Sequence, residues 1–295
     1  MRSKYNPIKS LEGWIYADPL PTNEELKQFY AEKYYQNVDD LVSTYQESYS
    51  ERELEHKKFE AELCLYSLKD HFARNFKDSS VLELGSGEGF FLKEISKNVK
   101  KFRGVDFSNF GVQKFFPELL NRFDQADIYE YIKGLTEKYD AIVLRNVIEH
   151  VPDPINLLQS LKEKVTPNGL IVFSFPNDYS VIQELSKKMG YTKKDFWFAP
   201  PDHLFYFNTN TVKIFAEKIG LRILDMFAIF PVDLFLLTPY SNYVDKPEVG
   251  KAAHNARIEI ELTLWEKNKE STLNLFRQFA QCGIGREITV IAKFK

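Results

Sequence analysis

Between residues 79 and 175 short apolar runs alternate with longer stretches whose apolar positions recur at helical spacing. Val81-Leu82-Glu83-Leu84 reads as a strand buried on both faces, and Phe90, Phe91, Leu92 and Ile95 mark the helix after it. Lys101–Asp106 reads as a second strand, the short apolar segment before Gln125-Ala126-Asp127-Ile128 as a third, and Tyr139–Asn146 as a fourth. A helix ending near Leu161 leads through the turn Thr166-Pro167-Asn168-Gly169 into strand Leu170–Phe175. Farther on, Thr209–Ile219 predicts a helix ended by Gly220, Leu221–Phe230 a strand, and Ile284–Lys295 the last strand. Strand and helix in strict alternation predict an α/β fold with a doubly wound, mostly parallel sheet.

Two kinds of segment depart from this alternation. Residues 1–78 form an N-terminal extension. Pro7, Pro19 and Pro21 punctuate its start, and Thr22-x-x-Glu25 is a capping box that opens a helix toward Tyr34. From Tyr49 to Phe76 a charged helix pattern carries Phe59, Leu63, Leu65 and Leu68 on its apolar positions. Two insertions then interrupt a core of residues 79–230 and 285–295. Residues 177–208 are polar and aromatic, as suits a substrate cover. Residues 231–284 look helical between Ala252 and Phe279, with Ile258, Leu262, Leu264 and Leu273 as apolar candidates.

Composition narrows the function classes. The 295 residues are 44% hydrophobic and 27% charged, ordinary for a globular protein. The net charge of −3 gives no general field for nucleic acid. Cys64 and Cys282 are the only cysteines, which excludes a disulfide framework and a cysteine metal cluster. No apolar leader or spanning segment is read, so a cytoplasmic location is expected. The many aromatics serve core or subunit contact, and a homodimer is compatible with them.

The chemistry centres on Gly85-Ser86-Gly87-Glu88-Gly89, directly after the first core strand. Glycines there let the chain turn sharply and let a ligand approach without meeting a Cβ. A strand-turn-helix of this kind is a nucleotide-type cofactor site. The dinucleotide fingerprint needs a third glycine where Phe90 stands, and no phosphate-loop lysine follows the turn. Asp106 lies about 20 residues on, where a ribose-binding carboxylate belongs; the alternative is a helix cap, for which its neighbour Ser108 is the better candidate. Glu83-x-Gly85-x-Gly87-x-Gly89 resembles motif I of the class I S-adenosylmethionine-dependent methyltransferases. Val147-Ile148-Glu149-His150-Val151-Pro152-Asp153-Pro154 resembles a signature of the branch that includes the ubiquinone-biosynthesis O-methyltransferase and sugar and natural-product methyltransferases.

The resemblance implies a seven-stranded sheet whose last strand is antiparallel, and S-adenosylmethionine as cofactor with S-adenosylhomocysteine as product. It assigns cofactor binding to Glu83, Gly85, Ser86, Gly87, Gly89, Asp106, Phe107, Asp127, Ile128 and Arg145. Asp127 would cap the adenine amino group, although as a first-turn acid it also suits the helix dipole. The expected reaction is methyl transfer to a small-molecule acceptor, at an oxygen of a sugar, glycan precursor or quinone-like metabolite. C- or N-methylation on the same scaffold and a non-catalytic cofactor-binding subunit are the alternatives. No Asn-Pro-Pro-Tyr motif is present, which counts against nucleic-acid N-methylation.

A base near neutral pKa points to histidine. His150 follows the fourth strand, and His203 lies in Pro200-Pro201-Asp202-His203, with Asp202 and Tyr206 as expected orienting partners. Both are catalytic candidates, His203 favoured as the proton acceptor and His150 as the residue shaping the acceptor pocket, and the alternative for each is local structure. His56, His71 and His254 fall in helix patterns and read as solvated or interfacial. Tyr179, Trp197 and Tyr206 are expected to line the acceptor site. Glu149, His150 and Asp153 contain metal-ligand chemistry, but no metal is expected.

Overall fold

A computed structural model of the chain describes residues 4–22, 24–26, 28–29, 49–72 and 75–295. Strands β1 (Asn6–Lys9) and β2 (Ile15–Asp18) form an antiparallel hairpin. Thr22 and Glu25 make the reciprocal capping bonds, amide to side chain at 2.9 and 3.2 Å. The expected continuation toward Tyr34 lies outside the described residues.

Helix α1 (Glu51–Lys69) starts at a capping box, in which the Ser50 amide donates to the Glu53 carboxylate at 2.7 Å and the Glu53 amide to Ser50 Oγ at 3.3 Å. Phe59, Leu63, Leu65 and Leu68 are all buried, as their spacing predicts. The alternating core follows as β3 (Ser80–Leu84), α2 (Phe90–Ser96), β4 (Lys101–Asp106), α3 (Phe110–Phe115), β5 (Phe123–Gln125), α4 (Ile128–Gly134), β6 (Tyr139–Arg145), α5 (Pro154–Ser160) and β7 (Val165–Pro176). The turn around Pro167 belongs to the irregular start of β7, where the register with β6 shifts between Tyr139 and Ala141.

Helix α6 (Val181–Lys188) and the two-residue strand β8 (Phe205–Tyr206) belong to the first insertion. Helix α7 (Thr211–Lys218) and β9 (Leu221–Ala228) return to the core. The second insertion carries α8 (Gly250–Lys267) and α9 (Lys269–Cys282), and β10 (Glu287–Phe294) closes the sheet. The continuous helix expected there is broken at Asn268. Its backbone is extended (φ −164°), and its side chain accepts the Ser271 amide at 2.8 Å as a new N-cap.

The main sheet has the order β5-β4-β3-β6-β7-β10-β9, with β10 antiparallel to both its neighbours. It is the doubly wound, seven-stranded arrangement that the resemblance implies. Period-two alternation divides the core. Leu82, Leu84, Ile142, Leu144, Ile171 and Phe173 pack on one face, and Val81, Ala141, Val143, Leu170 and Val172 meet α1 and α2 on the other. Sequence analysis did not foresee that β8 pairs with β2, Ile15 opposite Tyr206, so that the first insertion is stitched to the N-terminal hairpin in a separate three-stranded sheet. A third cluster joins Phe59 and Leu63 of α1 to Phe227, Ile229, Ile258, Trp265 and Phe276, fastening the helical insertion to α1 and β9.

Phe276 is fully buried in that cluster, with its ring 6.5 Å from that of Phe59. Phe276→Ala should cost about 3–5 kcal/mol of stability, read as a lower urea midpoint with unchanged slope. A loss under about 1 kcal/mol would mean that the insertion does not fold cooperatively with the sheet.

Candidate active site

The site begins where β3 and β4 end side by side. Gly85, Gly87 and Gly89 all hold positive φ, so the strand leaves the sheet in a turn that L side chains resist. Ser86 anchors it: Ser86 Oγ donates to the Glu83 carbonyl at 3.2 Å and accepts the Val105 amide at 3.1 Å, while the Gly85 amide donates to the Val105 carbonyl at 2.8 Å. The Gly87 amide then donates to Asp106 Oδ2 at 2.9 Å, and the Ser108 amide donates to Oδ1 at 3.2 Å. A Cβ built on Gly87 would meet nothing within 4 Å, so the turn faces open space. One on Gly111 would lie 2.7 Å from the Gly87 carbonyl oxygen. Gly111 is therefore part of the site through close approach alone, a role that its sequence position does not signal.

Burial pushes the Asp106 carboxyl up, and the amides of Gly87, Ser108 and Phe107 partly offset that. Glu83 is buried behind the turn, and its Oε2 has no hydrogen-bond partner. Burial pushes its carboxyl up to about 8; Arg145 opposes the shift and Asp106 adds to it. Arg145 leaves the end of β6 with its guanidinium 5.8 Å from the Phe91 ring centroid. Burial works against that charge, but Cys64, Glu60, Glu287 and Glu83 hold it above its usual pKa. Phe107 is exposed at the rim. Asp127 is exposed and caps α4, accepting the Tyr129 and Glu130 amides at 2.9 and 3.1 Å, with half-buried Ile128 next to it. From the other side, Tyr49 donates to Glu88 at 2.7 Å and Lys57 pairs with the same carboxylate at 3.2 Å, so the start of α1 is tied to the turn.

Beyond β6 the chain turns at Asn146 (φ 51°), whose side chain donates to Glu287 at 3.0 Å. Glu149 and His150 follow. The Glu149 carbonyl accepts the amides of Leu204 and Phe205 at 2.7 and 3.2 Å, which binds this loop to the cover. His150 Nδ1 lies 2.6 Å from the Asp202 carbonyl oxygen and 3.5 Å from the Asp202 carboxylate. Asp202, expected beside His203, is thus turned to His150. Tyr206 fixes the cover backbone, donating to the His203 carbonyl at 2.7 Å and accepting the Ala199 amide at 3.0 Å. The His150 and His203 rings meet edge-on at 4.8 Å.

Tyr179 and Trp197 meet edge-on at 5.4 Å, and Tyr179 and Tyr206 at 6.1 Å. Trp197 and Tyr206 are buried inside the cover. Asp153 caps α5 through the Asn156 amide at 2.9 Å. The donor atoms that converge are those of Glu149, His150 and His203, within 4.8 Å of one another.

Of the other histidines, His56 departs from expectation, whereas His254 is exposed as expected. His56 is buried, with Nε2 2.5 Å from Glu261 Oε2 and Nδ1 3.7 Å from Glu60. It joins α1 to α8, so it is neither solvated nor on an outer face. His71 lies 3.6 Å from Asp225, and His254, half exposed, 3.5 Å from Glu53.

Residues 54–225, more than half of the chain, match the family model described as a methyltransferase domain. The ubiquinone biosynthesis O-methyltransferase of Histophilus somni is 28% identical over 114 residues, 36% of this chain and 48% of that protein. The tRNA U34 carboxymethyltransferase of Nautilia profundicola is 30% identical over 112 residues, 36% of each chain. The chain therefore spans less than half the length of these curated relatives. Among solved structures, a SAM-dependent methyltransferase from Archaeoglobus fulgidus superposes with a TM-score of 0.51 at 20% identity, covering 87% of this chain and 100% of its own. Among the described residues, no helix is long and apolar enough to cross a membrane. With motif, sheet order and family model in agreement, the chain belongs to the methyltransferase-domain family and has the fold of the class I S-adenosylmethionine-dependent methyltransferases.

Proposed function

We propose that this chain binds S-adenosylmethionine at the Gly85–Gly89 turn and transfers its methyl group to an oxygen of a small-molecule acceptor. The observation that carries the reading is the Gly87 amide bonded to Asp106 at the end of the neighbouring strand, beside open space. The residues fit the cofactor. Each Asp106 oxygen accepts one amide and keeps capacity for a ribose hydroxyl. Glu83 offers a buried carboxylate oxygen without a partner to a cationic group, and Arg145 offers a cation to a carboxylate. Asp127 and Ile128 would meet the adenine, and Phe107 lies exposed at the rim. The cofactor supplies an electrophilic methyl on a sulfonium.

The protein's part is to hold the acceptor in line, exclude water and remove its proton. Orientation contributes several kcal/mol, up to roughly 7–11 in ideal cases. His150 is the better placed base. The Asp202 carbonyl can only accept, so Nδ1 carries a proton and Nε2 is the nitrogen to take the acceptor's proton. His203 stands across from it, and Tyr179, Trp197 and Tyr206 stiffen the cover that closes the acceptor side. The acidic surroundings of this side and the net charge of −3 support a small acceptor over a nucleic acid. The sugar, glycan-precursor and quinone-like classes all supply such a hydroxyl.

Isothermal titration should detect S-adenosylhomocysteine binding. Gly87→Val should abolish it while the fold persists at a cost of about 1–3 kcal/mol in stability, since valine is strained at φ 52°, and Asp106→Ala should weaken it about ten- to a hundredfold. Wild-type affinity in Asp106→Ala would remove the ribose role.

Because Glu83 holds its proton up to about pH 8, a cationic ligand that ionises it should release a proton near neutral pH. The binding heat of S-adenosylmethionine should then depend on the buffer's ionisation enthalpy, and the dependence should vanish in Glu83→Gln. Heats independent of buffer would contradict this.

His150→Ala should lower the maximal rate of methyl release about a hundredfold or more while cofactor affinity holds. A near-normal rate would leave proximity as the whole catalytic effect.

A further inference from the structure

The second insertion has no part in the reading above, yet α8 brings a charged side chain up to the cofactor end of the sheet. Four charged groups come together there from four elements: Glu60 of α1, Arg145 at the end of β6, Arg257 of α8 and Glu287 at the start of β10. They are close enough to act on one another, since Arg145 and Arg257 both lower the pKa of Glu60 and of Glu287. Among the described residues, none of the four closes an ion pair with another.

Arg257 is the least satisfied of them. Its side chain is 17% exposed, Nε has no hydrogen-bond partner, and Glu261 Oε2 is 3.9 Å away. Glu261 cannot turn to it, because Oε2 holds His56 at 2.5 Å and Oε1 accepts the Phe230 amide at 2.8 Å. Glu60, 19% exposed, has Oε1 3.7 Å from His56 Nδ1, too far for a hydrogen bond. Glu287 gives one oxygen to the Asn146 side chain at 3.0 Å. Opposite charges this deep draw into contact at about 2.7–2.9 Å wherever their chains reach. These stay apart because each is fixed by its own element. Phe59 and Trp265, with rings 5.6 Å apart, lock α1 to α8, and β6 and β10 flank β7 in the sheet.

We infer that α1 and α8 complete the acceptor site and that the acceptor is a polyhydroxylated ring, a sugar unit, whose hydroxyls donate to Glu60 and Glu287 and accept from Arg257. The inference rests on the methyltransferase reading and chooses among its acceptor classes. A guanidinium only donates and an ionised carboxylate only accepts. Burial raises the Glu60 carboxyl, but His56, Lys57, Arg145 and Arg257 bring it below its ordinary value, so it is ionised at neutral pH. Burial and Glu60 raise Glu287 against Arg145, Asn146 and Arg257, and a hydroxyl suits its carboxyl in either protonation state. An ammonium would leave Arg257 unserved, and a carboxylate or phosphate would meet Glu60 with like charge. An apolar quinone-like ring would strip water from these groups and return no hydrogen bond. A ring hydroxyl both donates and accepts, and neighbouring hydroxyls on one ring bridge Arg257 to both acids. Arg145 remains for the cofactor. The four groups adjoin the transfer site, since Asn146 follows Arg145 in the chain and Glu287 is near enough to Glu149 to disfavour its carboxylate.

The test uses the full chain and methyl-labelled S-adenosylmethionine, with S-adenosylhomocysteine binding measured by calorimetry on the same preparation. The probes are the methyl α-glycosides of glucose, galactose, mannose and rhamnose, with catechol as an aromatic alcohol and homoserine as a zwitterionic one. Label should appear on at least one glycoside and on neither comparator. Arg257→Met should raise KM for that glycoside about tenfold or more, with kcat and S-adenosylhomocysteine affinity nearly unchanged. Glu60→Gln, which keeps the side-chain shape, should raise KM in the same direction and serves as the second variant if Arg257→Met does not fold. Label on catechol or homoserine instead, no label on any glycoside, or an unchanged KM in the folded variants overturns the inference. So does a loss of S-adenosylhomocysteine affinity in Arg257→Met, which would move that guanidinium to the cofactor. Absence of S-adenosylhomocysteine binding to the wild type would instead sink the methyltransferase reading, so the two failures are distinguishable.

Discussion

The hydrogen bond from the Gly87 amide to the Asp106 carboxylate joins the ends of two parallel strands, and most of the site depends on it. It requires β3 and β4 to end level, which their register provides by setting Leu84 opposite Val105. It requires a left-handed turn between Leu84 and Phe90, which three glycines permit. It requires α3 to approach closely, and Gly111 allows this. The same bond holds a largely buried carboxylate at the mouth of an open cleft, a costly arrangement unless amides and a ligand share its lone pairs. Glu83 and Arg145 sit behind it as a second, deeper pair of opposite character.

The proposed acceptor side is built on a different constraint, the stitching of residues 199–206 to the end of β6. Two amides of the cover share one carbonyl, that of Glu149, and the Asp202 carbonyl takes His150. The cover is held from outside as well, because β8 extends the N-terminal hairpin. The groups that handle charge therefore come from a core loop and an insertion at once. This division suits a scaffold whose acceptor is set by insertions, since fold alone does not determine function.

The parallel core was legible because strands buried on both faces read as apolar runs, and the glycine turn because other residues rarely adopt its backbone. The capping box at Thr22 and the helix end at Gly220 were local signals of the same kind. What sequence did not disclose was set by long-range packing. Strand β8 is two residues long and carries no periodicity of its own. Asn268 breaks a helix whose apolar spacing continues on both sides, because its extended backbone restarts the cap. His56 looks like any polar residue on a charged helix until α8 brings Glu261 to it. Asp202 precedes His203 in the chain, yet the turn of the cover aims it at His150, and the cover then brings His203 up to Glu149, where Asp153 was the nearer candidate in sequence.

The central claim is that the turn and Asp106 form the cofactor seat, and a crystal structure with S-adenosylhomocysteine tests it most directly. The account predicts both ribose hydroxyls within hydrogen-bond distance of the Asp106 carboxylate and the homocysteine sulfur facing the gap between Glu149 and His150. A ligand that lies elsewhere, or one whose ribose makes no contact with Asp106, would contradict it.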